Sequence, residues 1–313
     1  MRALFTYDYG KREMEEIQNL GYDTIIKKEK ELEYTEDLKN VEVLVCYDPF
    51  SSLELSKMIN LKWIQLSSIG IDQVPRELLK AKGITLTNNK GGYSIPMGEF
   101  IVLKILEFYK KSHQLREQQM KKEWKMDTSL LELYNKKVTF IGTGSIAIEG
   151  ARRLQGFGVE IHGVNTAGKP VEYFDRCHPI KELNKVLAFS DVVVLTIPYT
   201  EDTHHLLGEK SFDLMKESAL LINVSRGSII DESALINALK KEEIHGAALD
   251  VFEKEPLSKE HPLWNFKNAV ITPHNSWISE MRNQRRYDTI YENLKRYRDG
   301  RPLINIVDLD KGY

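Results

Sequence analysis

Short aliphatic runs recur along this chain, and the stretches between them are polar or return to apolar side chains at helical spacing. Runs of strand length stand at positions 4–7, 24–26, 41–46, 63–67 and 84–87, with helical patterns at 13–20 and 76–80 between some of them. Such alternation predicts a parallel sheet covered by helices. One long helical pattern then spans 96–125, with Pro96 in the first turn, where its missing N–H leaves no bond unmade. A second alternation starts at Lys137, with strands expected at 138–141, 159–164, 192–196, 219–224, 247–251 and 270–272. These runs are rich in Val, Ile and Leu, the composition of strands covered on both faces. A last long helix, 280–298, ends at Asp299 and Gly300. Its length suggests that it packs back onto the first domain. The pattern therefore predicts an α/β chain with doubly wound parallel sheets. Its outer domain is discontinuous, 1–94 and 281–313, and the domain at 95–280 is inserted into it.

Composition narrows the function classes. The chain has 313 residues, enough for two domains with sizeable cores. Lys and Arg total 44 against 46 Asp and Glu, so the basic excess of a general nucleic-acid binder is absent. The densest basic stretch, 104–125, holds Lys110, Lys111, Arg116, Lys121 and Lys122 but interleaves Glu107, Glu117 and Glu123. It reads as the solvated face of the long helix. Cys46 and Cys177 make no disulfide framework, and no close Cys/His cluster suggests a metal site. The N-terminus reads as a first strand and lacks the apolar stretch of a signal peptide. No run approaches the ~18 apolar residues of a membrane span. The expectation is a cytoplasmic protein with neither a membrane nor a nucleic-acid partner.

The inserted domain opens with a strand followed by Gly142-Thr143-Gly144-Ser145-Ile146-Ala147 and a helical pattern to about Gln155. In this setting the first glycine permits a tight turn and the second lets a pyrophosphate approach the backbone. The third small residue lets the helix pack on the strand. The helix start then offers free N–H groups and partial positive charge to the phosphates. The next strand ends at Asn165, where an Asp or Glu would bind the adenosine ribose hydroxyls and repel a 2′-phosphate. Here the position is neutral, so the barrier against NADP is missing. Thr166 and Lys169 can serve a phosphate, although Lys169 also fits a solvated loop. The expected cofactor is NAD(P), with NADP tolerated or preferred.

Three polar residues follow later apolar runs. Arg226 follows 219–224, Glu255 follows 247–251, and His274 follows 270–272. Ligands of open α/β sheets bind at the carboxyl ends of strands, so the three are expected to converge. A guanidinium can bind a carboxylate bidentately and polarise a neighbouring carbonyl, or it can be an ordinary ion-pairing arginine. An imidazole beside a carboxylate can donate a proton when a ketone is reduced. Glu255 is the candidate partner, against a plain loop glutamate beside Glu253 and Lys254. Asp250 either accepts from a nicotinamide carboxamide or caps the following turn.

Assembled, these pieces resemble the D-isomer-specific 2-hydroxyacid dehydrogenases, collinearly over nearly the whole chain. The likeness is densest at 191–206, 215–231, 246–257 and 271–274, the last reading Ile-Thr-Pro-His. The resemblance implies two Rossmann-like lobes, with the outer domain taking substrate and the inserted domain taking NAD(P). It implies His274 as acid/base, Glu255 as its partner and Arg226 on the substrate carboxylate and carbonyl. Within 66–72, backbone N–H groups near Ile69 and Gly70 are implied to hold the carboxylate too. The turn residues Gly142, Gly144, Ser145 and Ile146, with Asn165, Thr166, Lys169, Pro198 and Asp250, are the implied cofactor contacts. The stretch 89–99 matches the family's interdomain hinge. The helix from Pro96 matches its usual homodimer element, with Trp124 in the arm that follows.

Three positions depart from the family pattern. Ala147 replaces the third glycine, Asn165 replaces the usual acid, and Trp277 is bulkier than the small residue often found there. Trp277 either narrows the pocket toward small 2-oxo acids or is a domain-interface aromatic. The expected reaction is hydride transfer between a nicotinamide cofactor and a small 2-oxo or 2-hydroxy acid, with no metal. Some relatives use this fold as a nucleotide-responsive protein-binding module and keep the same three residues. A formate-type dehydrogenase is a further rival, disfavoured by the His–Glu pairing.

Overall fold

In the computed structural model, which describes all of Met1–Tyr313, the chain divides into two units, Met1–Tyr93 with Ser279–Tyr313 and Ser94–Ile278. The first unit carries strands β1 (Arg2–Phe5), β2 (Asp23–Ile26), β3 (Val43–Cys46), β4 (Trp63–Leu66) and β5 (Thr85–Thr87). Helices α1 (Lys11–Asn19) and α2 (Arg76–Lys82) connect some of them. All neighbours pair in parallel, in the order β2-β1-β3-β4-β5. The aliphatic runs become strands because both faces are covered, and every residue of β3 and β4 is buried.

The second unit begins with helices α3 (Ser94–Tyr109) and α4 (Ser112–Lys121). The single long helix expected over 96–125 is thus two. Lys111 takes a left-handed backbone with φ 47°. The Tyr109 carbonyl accepts from Leu131 N–H at 2.9 Å, so the bond that would continue the helix is diverted. The solvated basic face is also corrected at one position. Lys104 is buried, and its ammonium pairs with Glu107 at 2.8 Å.

Seven strands follow: β6 (Lys137–Ile141), β7 (Glu160–Asn165), β8 (Arg176–Pro179), β9 (Val192–Leu195), β10 (Leu220–Asn223), β11 (Gly246–Leu249) and β12 (Ala269–Ile271). They alternate with α5 (Ser145–Leu154), α6 (Leu183–Phe189), α7 (Glu209–Leu214) and α8 (Glu232–Lys240). The sheet is parallel throughout, ordered β12-β11-β10-β9-β6-β7-β8. β8 was not foreseen. It is an edge strand reading Arg-Cys-His-Pro, with no fully buried residue, so the aliphatic signature is missing. Leu187, Phe212, Leu235 and Leu239 of the helices pack on Val193, Leu195, Leu221 and Leu249 of the strands. No helix is long and apolar enough to cross a membrane.

The last helix, α9 (Arg282–Arg298), belongs to the first unit. Its Tyr287, Ile290 and Leu294 pack on Ala3, Phe5, Val43, Val45 and Trp63. A buried polar chain fixes it there. Trp63 Nε1 donates to Thr87 Oγ1, and Thr87 Oγ1 donates to Gln65 Oε1, both at 2.8 Å. Asn293 Nδ2 donates to the same Gln65 oxygen at 2.8 Å and to the Ile304 carbonyl at 3.0 Å. Asn293 Oδ1 accepts from Ile304 N–H at 2.8 Å. Asn293→Leu leaves these buried partners unmatched and is expected to cost about 2 to 3 kcal/mol. Urea unfolding of the variant against the parent checks this.

Candidate active site

The carboxyl edge of the seven-stranded sheet gathers the polar residues of the second unit. Strand order reverses between β6 and β9, and such a switch point opens a crevice for ligands. The glycine turn lies there. Gly142 has φ +95°, and a Cβ on it would stand 2.6 Å from Ile197 Cγ2 and 2.9 Å from Ile197 N. Only glycine lets the chain leave β6 so close to the end of β9. Gly144 caps α5, meets nothing within 4 Å on its open side, and supplies no side-chain bond to the helix start. Ser145 and Ile146 form the first helical turn, and Ala147 is fully buried beneath it. The residues fit a pyrophosphate: an open glycine, uncapped N–H groups and a small packed residue in place of the third glycine.

Asn165 ends β7 and ties the next loop to itself. Its Nδ2 donates to the Lys169 carbonyl at 2.9 Å and to Thr143 Oγ1 at 3.3 Å, and its Oδ1 accepts from Lys169 N–H at 3.0 Å. Asn165 is thus the clasp of the 165–169 loop. Thr166 and Lys169 are exposed on that loop. Pro198 is exposed just past β9, and its carbonyl accepts from Thr203 Oγ1 at 2.9 Å.

His274 and Glu255 meet: Nδ1 lies 2.9 Å from Glu255 Oε2. Glu255 Oε1 accepts from Phe252 N–H at 3.1 Å. Burial pushes the Glu255 carboxyl up, but the His274 hydrogen bond, the Phe252 amide and the charges of His274 and Arg226 outweigh it. The net effect holds it below the usual glutamate range. Arg226 is half-buried after β10, its Nη1 on the Ser225 carbonyl at 2.7 Å and its own carbonyl accepting from Asn223 Nδ2 at 2.9 Å. The adjoining Gly227 packs backbone to backbone against the loop of Glu255. A Cβ there would stand 1.8 Å from the Phe252 carbonyl carbon.

Asp250, 1% exposed, organises the turn that carries His274. Its Oδ1 accepts from Thr272 Oγ1 at 2.6 Å and Asn275 N–H at 2.8 Å, and its Oδ2 from Ser276 N–H at 2.9 Å. Its backbone carbonyl accepts from His274 N–H at 2.9 Å. Trp277 follows this turn, half-buried. In the first unit, Ile69 and Gly70 lie past β4 on a loop whose carbonyls are tied back. Asn88 Nδ2 and Ser68 Oγ donate to them, each at 2.9 Å. The N–H groups of Ile69 and Gly70 have no acceptor within the chain.

Residues 102–276 match the family model for the D-isomer specific 2-hydroxyacid dehydrogenase, NAD binding domain. The chain belongs to this family. It is 30% identical over 282 residues to a glyoxylate reductase of Korarchaeum cryptofilum, spanning 87% of this chain and 84% of that one. A D-isomer specific 2-hydroxyacid dehydrogenase from Xanthobacter autotrophicus, solved with NADPH and MES, has a TM-score of 0.85 at 26% identity, covering 100% of this chain and 99% of its own. An NADPH-dependent glyoxylate/hydroxypyruvate reductase from Sinorhizobium meliloti, solved with NADP and malonate, has a TM-score of 0.81 at 25% identity over 98% and 97%. This family member is therefore an NAD(P)-dependent oxidoreductase, and its two parallel sheets are those of two Rossmann-like lobes.

Sequence reasoning missed the supports of the site. Thr272, Asn275 and Ser276 on Asp250 have no distinguishing spacing. Nor do two further pairs on the loop after β11: His205 Nε2 with Glu253 at 2.8 Å, and His261 Nε2 with Glu232 at 2.9 Å. Gly227 was visible only as a glycine. Gly227→Ala forces the Arg226 turn and the Glu255 loop apart, and a shift of about 1 Å is expected to lower kcat/KM about 100-fold. Binding of NADPH, followed by its fluorescence, should stay close to that of the parent, because the glycine turn after β6 is untouched.

Proposed function

We propose that this dehydrogenase reduces small 2-oxo acids to D-2-hydroxy acids with NADPH or NADH, in the cytoplasm and as a homodimer. The observation that carries the reading is the His274–Glu255 contact of 2.9 Å beside Arg226 at the carboxyl edge of the dinucleotide-type sheet. The similarity to glyoxylate reductases supports the substrate class.

The glycine turn, Ser145 and Ile146 would hold the pyrophosphate, with Asn165, Thr166 and Lys169 at the adenosine end and Pro198 beside the crevice. When bound, the reduced nicotinamide supplies the hydride. The work of the chain's own residues follows from their geometry. Arg226 grips the substrate carboxylate and polarises the carbonyl oxygen. On the first unit, the Ile69 and Gly70 N–H groups are open to a substrate carboxylate, and on the second Trp277 follows the His274 turn. His274 uses Nδ1 toward Glu255, which leaves Nε2 to give a proton to the carbonyl oxygen and to take it back in oxidation. The lowered carboxyl of Glu255 stays ionised, so it can accept from Nδ1–H and orient the ring. Asp250 acts through His274, as a positioning residue.

His274→Ala is expected to lower kcat by about 10² to 10⁴ with little change in substrate KM. Arg226→Ala is expected mainly to raise substrate KM. Steady-state kinetics on glyoxylate, hydroxypyruvate and pyruvate separate the two, and full activity in both variants would show that the site lies elsewhere.

At the adenosine end, no carboxylate at position 165 repels a 2′-phosphate, and the NADP-bound relatives support the same view. Initial rates with NADPH should match or exceed those with NADH, and Asn165→Asp should shift the ratio toward NADH. Strict dependence on NADH in the parent would contradict this.

A further inference from the structure

We propose that Arg286, framed by Tyr7 and Tyr9, is a second anion-recognition point on the substrate unit, selecting 2-oxo acids with another acidic group at the far end of a short chain. This deepens the reading given under Proposed function and rests on it.

The place is singled out by topology. In the five-stranded sheet the order reverses between β1 and β3, so the crevice of that unit opens beyond the carboxyl ends of those strands. Tyr7 and Tyr9 follow β1, and Arg286 reaches them from the first turns of α9. Its guanidinium carbon lies 4.5 Å from the Tyr7 ring centre and 5.3 Å from that of Tyr9. Two aromatic faces hold a cation well, yet they do not neutralise it. Its single hydrogen bond runs from Nη2 to Asn283 Oδ1 at 3.1 Å, and Asn283 Nδ2 in turn donates to the Tyr7 hydroxyl at 3.4 Å. No carboxylate oxygen stands within the 4.0 Å of an ion pair.

Two buried polar atoms here have no partner, Arg286 Nε and the Tyr9 hydroxyl. Buried donors are nearly always matched, and an unmatched pair next to an uncompensated cation is what an anion site looks like without its anion. Burial raises the Tyr9 phenol far above its usual range, so it remains a neutral hydroxyl able to donate. Two backbone amides past β3 are already taken. Glu29 accepts from Tyr47 N–H and Asp48 N–H at 2.8 Å each, and from Thr6 Oγ1 at 2.7 Å. Arg286 Nε and the Tyr9 hydroxyl are the unpartnered side-chain donors offered to an incoming anion.

The spacing sets the ligand class. β1 and β4 are separated by β3, so the Tyr7–Tyr9 segment and the Ile69–Gly70 loop stand roughly 10 Å apart, two inter-strand spacings. Tyr93 stands at the Ile69–Gly70 end: its hydroxyl donates to the Ser67 carbonyl. A substrate carboxylate on Ile69 and Gly70 would leave a second carboxylate, two or three carbons farther along, facing Tyr9 and the reach of Arg286. Glyoxylate is too short to use it.

The test measures kcat and KM for glyoxylate, pyruvate, oxaloacetate and 2-oxoglutarate in the parent, Arg286→Met and Tyr9→Phe, with unfolding midpoints alongside. The parent should favour at least one diacid over pyruvate by about tenfold in kcat/KM. Arg286→Met should raise that diacid's KM about tenfold and leave the glyoxylate and pyruvate KM values unchanged. Tyr9→Phe should raise it less, and it carries the test together with Arg286→Lys if the methionine variant does not fold. Equal efficiency of the parent on mono- and diacids, or equal loss on all four in the variants, overturns the inference and leaves the 2-oxo acid reductase reading intact. No turnover of any of the four with either cofactor overturns both.

Discussion

The buried carboxylate of Asp250 is the constraint on which the geometry around His274 depends. Three donors from one short turn converge on it, and its backbone carbonyl takes the His274 N–H. His274 pays for this in backbone strain, with φ 53°, a region that non-glycine residues rarely adopt. The turn holds because its hydrogen bonds over-determine it. The consequence is directional. Nδ1 is aimed at Glu255, and Nε2 is presented on the other side of the ring. Gly227 completes the arrangement by letting the Arg226 turn seat against the peptide that carries Glu255. Arg226, Glu255 and His274 thus come from three strand ends but share one frame.

The strands of both sheets were legible because fully covered parallel strands must be aliphatic, and β9, β10 and β11 are buried at every position. β8 was not legible, since an edge strand can be polar. The break after α3 was hidden for another reason. Lys110 and Lys111 favour helix, and the break is imposed by the Leu131 bond, a contact distant in sequence. Lys104 looked solvated because nothing in a charge pattern reveals that Glu107 will meet it under cover.

At the candidate site, the His274–Glu255 pairing could be expected from the sequence, and the residues that fix its geometry could not. Arg226, Glu255 and His274 stood out by type and by position after apolar runs. Asp250 was ambiguous between two roles, and its bonds to Thr272, Asn275 and Ser276 became visible only in three dimensions. Asn165 read as a missing acid; folded, it is also the clasp of its loop. Substrate choice was the least legible. The side chains proposed for it, Tyr9 and Arg286, are far apart in sequence and share no motif.

The account rests on hydride passing to C2 of a 2-oxo acid while the chain supplies the proton. Incubating the enzyme with hydroxypyruvate and NADPH carrying deuterium at both C4 positions tests this most directly. The account predicts a D-2-hydroxy acid with one deuterium at C2. Product without deuterium at C2, or of the L configuration, would contradict it.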